Sequence, residues 1–140
     1  MKAEIFALCD FASAEPSGKM NIIGVFDHMN ALQAPIVWPL CAVAAKIRTD
    51  RFEEGTKRIQ ILFVDADGKV VMPTLEVQAQ IRIGPGESTA TLQFVVIMPQ
   101  LKLPNFGEYA LDLRVDGVSL AAIPLYVRQI QTPTQPGNPQ

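Results

Sequence analysis

Few side chains in this sequence have the chemistry for catalysis, and their spacing does not assemble a known catalytic set. His28, the single histidine, directly follows Asp27, and an aspartate that orients an imidazole can produce a general base. Adjacent residues of an extended chain point to opposite faces, so these two side chains pair only if the chain turns there. No motif places a serine or cysteine nucleophile beside them. We therefore interpret His28 as a loop residue and predict no catalytic residue.

The strongest metal-like motif is Asp65-x-Asp67-Gly68, which resembles the start of a calcium-binding loop, with Glu76 at its twelfth position. The rest of the pattern fails, because Lys69 occupies the fifth position and the glycine stands at the fourth instead of the sixth. The motif therefore predicts a turn between two strands.

Other metal or phosphate sites are equally poorly supported. A sandwich can gather aspartates from several loops, and six are available: Asp10, Asp27, Asp50, Asp65, Asp67 and Asp116. One histidine and two separated cysteines do not suggest zinc. Gly84-Pro85-Gly86 lacks the Lys-Ser/Thr pair and the helix of a phosphate loop. We predict neither a metal nor a cofactor.

Composition describes one globular domain without a nucleic-acid signature. The 140 residues are 49% hydrophobic and carry 12 basic and 14 acidic side chains, a net charge of −2. A chain of this length can bury a sufficient core without a disulfide or metal. Without a basic surplus to neutralise phosphates, nucleic acid is not expected as a partner.

Cysteine usage and hydropathy suggest a cytoplasmic protein. Cys9 and Cys41 lie in apolar runs, which favours two buried free thiols, with a disulfide between strands as the alternative. Glu4, Cys9 and Asp10 interrupt any signal-peptide core at the start, and no apolar span is long enough to cross a membrane.

Short strands separated by turn residues dominate the pattern. Residues 75–83 alternate clearly, with apolar side chains on one face and polar ones on the other. Other strands are expected at 3–11, 19–27, 40–48, 56–64, 89–98 and 109–115, with a last strand through Val127. Residues 28–39 and the stretch between Pro99 and Pro104 are predicted loops. We predict an all-β, two-sheet antiparallel β-sandwich of about eight strands over residues 1–130, followed by a proline-, glycine- and glutamine-rich tail at 131–140.

Charges suggest a register for the first hairpin. A turn centred on Ala14 and Glu15 would place Asp10 opposite Lys19 and Asp27 opposite Lys2, and cross-strand ion pairs stabilise such ladders.

The last hairpin permits a prediction from burial. A two-residue Asp116-Gly117 turn would place Ile123, Leu125 and Val127 on the face that carries Asp112. A three-residue loop, Val115 to Gly117, shifts the register by one and puts those side chains on the face of Leu111. Since a one-residue slip inverts every side chain, burial favours the three-residue loop.

The segment Asn105-x-Gly107-x-Tyr109-x-Leu111 is similar to the tyrosine corner of immunoglobulin-like sandwiches, in which the tyrosine hydroxyl bonds to nearby backbone. Leu111 replaces the second cysteine of that pattern, so the intersheet disulfide is absent. This resemblance implies an immunoglobulin-like C-terminal half.

Residues 4–12, Gly18-Lys19, residues 23–27, Gly107-Glu108-Tyr109 and residues 123–127 together resemble an uncharacterised bacterial family of small domains of unknown function. The resemblance covers roughly residues 2–128. It implies a self-contained bacterial domain and carries over no active-site residue.

Apolar residues at positions expected to face outward or lie in loops are the remaining functional signal: Val95, Ile97, Leu120, Tyr126, Trp38 and Phe106. Either they form an interface, or the 28–39 segment and the tail cover them. We predict a non-enzymatic protein-interaction or self-assembly module that binds itself or another protein through a sheet face or edge. The alternative is a small-ligand-binding sandwich that uses the loops near Trp38 and Phe106.

Overall fold

The computed structural model describes residues 1–131 and shows an all-β protein with 71% of its residues in strands. In chain order the strands are β1 (Lys2–Ala14), β2 (Met20–Val25), β3 (His28–Ala31), β4 (Ile36–Asp50), β5 (Gly55–Asp65), β6 (Leu75–Ile81), β7 (Thr89–Leu103), β8 (Gly107–Val115) and β9 (Val118–Gln129). The expected tail at 131–140 lies, apart from Gln131, outside the described residues.

Two sheets enclose the core, and one of them curls into a half-barrel. The first has the order β2-β1-β4-β7 and the second the order β3-β9-β8-β5-β6, with β3 parallel to β9 and every other pair antiparallel. The main core between them contains eighteen buried residues, among them Phe63, Leu111 and Leu125.

One strand, β3, was missed, and two predicted strand boundaries near proline, the start of β4 and the end of β7, were wrong. The 28–39 segment contains β3 and the start of β4, and β7 continues through Pro99 to Leu103. Proline removes a ladder donor, so it is tolerated only where a strand has a free side. Pro99 lies on the edge strand β7. Pro39 lies in the part of β4 that only β7 pairs, because β1 reaches β4 no further than Ala42.

The register predicted for the first hairpin was also wrong. Ala14 pairs with Met20, and the turn between them is closed by the Glu15 N–H, which donates to the Lys19 carbonyl at 2.8 Å. Lys2 pairs with Arg48 of β4. Pro16-Ser17-Gly18 forms the interior of the turn, so turn chemistry and the competing β4 ladder outweighed two surface ion pairs.

The last hairpin buries the side chains that were predicted to face the core, but its turn differs from the predicted one. Val115 pairs with Val118 around a two-residue turn, in which Asp116 and Gly117 both have positive φ, 49° and 83°. The three-residue loop was therefore wrong. The register then shifts by one after Arg114, so Leu111 pairs with Ile123. The Asp-Gly turn alone would direct the apolar row of β9 away from the core, and the β-bulge beside it returns that row to the core face.

Candidate functional site

A second, smaller core lies on the outer face of the first sheet. Cys9, Ala42 and Ala44 are fully buried there, although this face points away from the second sheet. The β1–β2 hairpin covers these residues through Ala12, Met20 and Ile22. Val95 of β7 packs against the same core. The small side chains of β4 thus allow the hairpin to fold back over its own sheet.

A hydrogen bond fixes the hairpin in this position. β1 pairs with β4 only as far as Cys9 and then continues with β2 alone. At the hairpin turn, the Gln93 side-chain amide of β7 donates to the Gly18 carbonyl at 2.8 Å. The hairpin therefore spans the sheet from β1 to β7.

Glycine is required where the hairpin bends. Gly24 has φ +70°, and the Asp10 side chain occupies the space that a Cβ atom would take. The Asp10 and Gly24 positions are the one gap in an otherwise continuous pairing from Cys9 to Ala14.

The outward face of the hairpin is apolar and exposed. Phe11 and Ile23, which are direct cross-strand partners, are 48% and 61% exposed, and Val25 is 65% exposed. β2 is also an edge of the first sheet, with β1 on one side and no strand on the other within residues 1–131. Its free backbone groups and apolar side chains therefore face solvent together.

The other three sheet edges have features that oppose strand pairing. β3 has only four residues. β6 carries Glu76, Gln78 and Gln80 in alternation. β7 contains Pro99. β2, with the sequence Met-Asn-Ile-Ile-Gly-Val, has neither a charge nor a proline. In the described part of the chain it is the one edge strand that has exposed apolar side chains and neither a charge nor a proline.

An apolar cleft of about 420 Å³ adjoins this edge, between β1 and β9. It is lined by Phe6, Ala7, Leu8, Val25, Phe26, Asp27, His28, Ile123 and Pro124. At its rim the His28 Nδ1 lies 3.1 Å from an Asp27 carboxylate oxygen. The chain bends here as it passes from the first sheet to the second. The bend brings the Asp27 and His28 side chains together, whereas an extended chain would point them to opposite faces. Neither serine nor cysteine is among the lining residues.

The six residues proposed as an interface lie in different environments. Val95 packs beneath the hairpin, while Trp38, Phe106 and Leu120 pack against the main core. Ile97 is 47% exposed on β7 and lines a second apolar cleft of about 440 Å³, opposite residues 71–73. Tyr126 lies on β9, with the Arg128 guanidinium 5.6 Å from its ring centre. Sequence reasoning missed the hairpin, although the apolar residues on both faces of 20–25 were a signal.

The two aromatic residues of the ligand-binding alternative also have structural neighbours. Trp38 packs on Phe26, with ring centres 6.0 Å apart. Phe106 lines a smaller cleft of about 180 Å³ beside Asp65 and Asp67. The cleft between β1 and β9, which Phe26 lines, is larger and more apolar than the cleft beside Phe106. It is therefore the better candidate for a ligand site.

The acidic motif is a turn, as its spacing predicted. One Asp65 carboxylate oxygen accepts hydrogen bonds from the Asp67 and Lys69 backbone N–H groups, both at 2.9 Å. Over residues 1–131, no group of three or more histidine, cysteine, aspartate or glutamate side chains is placed to hold a metal ion.

The cysteines are buried and unpaired, as predicted. Burial raises the pKa of the Cys41 thiol to about 11, with Cys9 and Asp10 adding to the effect. Both thiols are therefore protonated at neutral pH and are not equipped to act as nucleophiles.

Comparison with known proteins gives a family but no activity. Residues 4–128 match a sequence family described as a family of unknown function (DUF6941). The chain belongs to this family. No curated protein matches it. The expected resemblance to an uncharacterised family is confirmed, whereas bacterial origin stays a prediction.

The chain also has a distant likeness to solved structures. Among them is Pseudomonas fluorescens alkylpurine DNA glycosylase AlkC bound to DNA containing an abasic site analog, with a TM-score of 0.46 and 9% identity. The alignment covers 91% of this chain and 30% of that chain, so this chain spans less than a third of that protein's length. Likeness at this level does not extend to function.

The helical structure described within residues 1–131 is one 3-10 turn, Arg51–Glu53, and no helix there is long and apolar enough to cross a membrane.

Proposed function

We propose that this protein is a non-enzymatic interaction module whose docking element is the free edge of β2. The observation that carries this proposal is the contrast among the four sheet edges within residues 1–131, of which β2 alone combines exposed apolar side chains with a lack of charge and proline. A partner strand that adds to β2 would complete its backbone hydrogen bonds and cover Ile23 and Val25.

A lysine substitution tests this edge. Val25→Lys places a charge where the partner strand would lie. The matched control is Val118→Lys, because the exposed fraction of Val118, 70%, is close to the 65% of Val25. Val118 is the first residue of β9, next to the β8–β9 turn and away from β2. Wild type and both variants are used as bait in an extract of the source cells, and bound proteins are quantified by mass spectrometry.

We expect a partner that wild type and Val118→Lys capture equally and that Val25→Lys captures at least tenfold less. Light scattering on the same three proteins detects a second copy as partner. Identical capture and identical mass for all three would show that the β2 edge is not the docking element.

The apolar cleft between β1 and β9 favours a second candidate function, the binding of a small apolar ligand. Trp38, the single tryptophan, reports on the cleft because its ring packs on Phe26, which lines it. Titration with a hydrophobic dye should change Trp38 fluorescence saturably, and Phe6→Ala should weaken the binding. An unchanged Trp38 signal would remove this candidate.

We also propose a cytoplasmic location and an immunoglobulin-like arrangement of the C-terminal half. The unpaired Cys9 and Cys41 thiols support a reducing compartment. The tyrosine corner supports the arrangement, since the Tyr109 hydroxyl donates to the Asn105 carbonyl at 2.7 Å and accepts from its N–H at 3.2 Å.

A further inference from the structure

We infer that the cleft between β1 and β9 binds a small organic cation with an aliphatic tail, whose ammonium group is held by the Asp27–His28 pair. This inference rests on the second candidate function, the binding of a small apolar ligand in the same cleft. It adds the chemical class of the ligand and the side chains that recognise its head group.

The cleft is apolar in its interior and polar at its rim. Leu8 is the most deeply buried of its lining residues, and Phe6 and Phe26 are partly buried against the main core. Asp27 and His28 also line the cleft and are exposed to solvent. A volume of about 420 Å³ is within the usual range of small-molecule sites. Because an unpaired polar group is costly to bury, a ligand here keeps its polar end at the rim.

The rim offers hydrogen-bond acceptors. An ionised carboxylate only accepts hydrogen bonds, so the 3.1 Å contact between the Asp27 Oδ1 and the His28 Nδ1 requires a proton on Nδ1. On the neutral ring, the Nε2 atom then carries a lone pair. The contact uses Oδ1 and Nδ1, which leaves the Asp27 Oδ2 and the His28 Nε2 as acceptors for a ligand.

The lining is poorly suited to an anionic head group. The Phe26 N–H already donates to the Leu8 carbonyl at 3.0 Å, and Pro124 has no N–H. Among the nine lining residues, all within the described part of the chain, none is a lysine or an arginine and none carries a hydroxyl or an amide side chain. A carboxylate head group would therefore meet the negative charge of Asp27 without a cationic side chain to offset it.

An ammonium group matches this rim in both charge and hydrogen bonding. It has three donors and no acceptor, so it can donate to the Asp27 Oδ2 and the His28 Nε2 together. Arg128 does not compete as the cation, because it is not a lining residue and its guanidinium lies over the Tyr126 ring. A hydroxyl can donate once and a carboxylate not at all, so the rim favours ammonium over hydroxyl and hydroxyl over carboxylate.

Three probes with the same tail test this order. Octylammonium, octanol and octanoate are titrated separately at neutral pH, below the concentrations at which they form micelles. Trp38 fluorescence follows binding, because its ring centre lies 6.0 Å from that of Phe26, and calorimetry provides the affinities independently. We expect octylammonium to bind about threefold more tightly than octanol and about tenfold more tightly than octanoate, the scale of a solvent-exposed ion pair.

Two substitutions at one position test the role of the carboxylate. Asp27→Asn should bring octylammonium and octanoate to within about twofold of each other, and Asp27→Lys should reverse their order. Octanol should bind all variants alike. The Asp27 side chain is exposed, and the Asp27 carbonyl accepts from the Tyr126 N–H whichever side chain is present. Both variants should therefore fold, which circular dichroism checks.

Glu87→Gln and Glu87→Lys are the matched controls. They change the net charge by the same amounts, but Glu87 lies in the loop before β7, at the other edge of the first sheet, and does not line the cleft. The order of the three probes should be that of wild type. An equal loss of preference in the Glu87 and Asp27 variants would mean attraction by the overall charge and would overturn the inference.

The outcomes separate this inference from the proposed functions. Equal binding of the three probes to wild type, or an order that Asp27→Lys does not reverse, overturns the ammonium preference and leaves the cleft as a ligand site. If no probe changes the Trp38 signal saturably, the cleft is not a ligand site and the inference is wrong with it. The β2 edge is tested separately, by protein capture.

Discussion

Two of the three pairs of consecutive antiparallel strands in residues 1–131, β1–β2 and β8–β9, are built on opposite principles. In β8–β9 one face is buried, so Leu111, Leu113 and Leu125 are fully inaccessible and the outward face carries Asp112 and Arg114. In β1–β2 the far end has apolar side chains on both faces: Ala12 and Ile22 contact the sheet, and Phe11 and Ile23 face solvent.

The difference is one of burial: β8–β9 stabilises the main core, whereas β1–β2 keeps one apolar face exposed. A hairpin with one buried face fixes its register, because a slip would expose the whole apolar row. The β1–β2 hairpin, apolar on both faces, covers a small core with one face, and under the proposed function the other face is left for a partner. The outward face of β1–β2 should therefore contribute little to folding.

The largest expected effect separates the two hairpins directly. Leu111→Ala removes a fully buried side chain from the main core and should lower the free energy of unfolding by about 2–5 kcal/mol. Ile23→Ala, at 61% exposure, should change it by less than about 0.5 kcal/mol. Urea unfolding measures both, and equal losses would contradict the division between them.

The tyrosine corner should be the next largest contribution. Tyr109→Phe removes the hydroxyl that bonds to both backbone groups of Asn105, at an expected cost of about 1–3 kcal/mol. Tyr126→Phe is the control, because that ring lies on the outer face beside Arg128, and it should cost much less. Thermal unfolding of the two variants compares them, and a similar loss in both would argue against the corner.

A pair of glycines tests the bend in the first hairpin. Gly24 and Gly117 both have positive φ, so alanine at either position should cost about 1 kcal/mol. Gly24→Ala should cost about 1 kcal/mol more, because its Cβ meets the Asp10 side chain, whereas the space around Gly117 is open. Denaturant unfolding of Asp10→Ala/Gly24→Ala should recover the excess, and failure to do so would exclude Asp10 as its cause.

The smallest expected effect is a pH dependence of the attachment of β1 to β4. The Arg48 Nε donates to Glu4 at 3.0 Å and holds the pKa of that carboxyl below its ordinary value of 4.5. The unfolded chain thus binds the proton more readily, so the stabilisation is present above about pH 4.5 and is lost as the pH falls through the folded pKa.

Unfolding of wild type and Glu4→Gln over pH 3–7 measures this contribution. The stability difference between them should be small, largest near neutral pH, and should vanish in acid. A difference that grew in acid would have the wrong sign for this ion pair.

Strands with one polar face were predictable, and strands with a special context were not. Residues 75–83 and 109–115 alternate, so burial alone indicated their faces, and with them the core face that Leu111 shares with Ile123. β3 was missed because its four residues take their pairing from β9, far away in sequence. Pro39 and Pro99 looked like strand breakers because the sequence does not show which strand side is free.

The sequence predicted the type of candidate site, an exposed apolar surface, but not the residues that form it. An apolar surface at a sheet edge was expected, but Val95 is covered and the exposed edge is β2, because Ala42 and Ala44 let the hairpin fold over the outer face. Small side chains at 42 and 44 suggested close packing, yet nothing local identified the segment that packs there.

The sequence by itself determined the strand-rich character of the chain, the buried thiols and the core face of its last hairpin, because these follow from local alternation and from hiding apolar side chains from water. Only the tertiary structure decided where β1 leaves β4, how Asp27 meets His28 and which edge stays open. Those features depend on contacts between segments distant in sequence, and the free energy of such contacts is not encoded in any one of the segments.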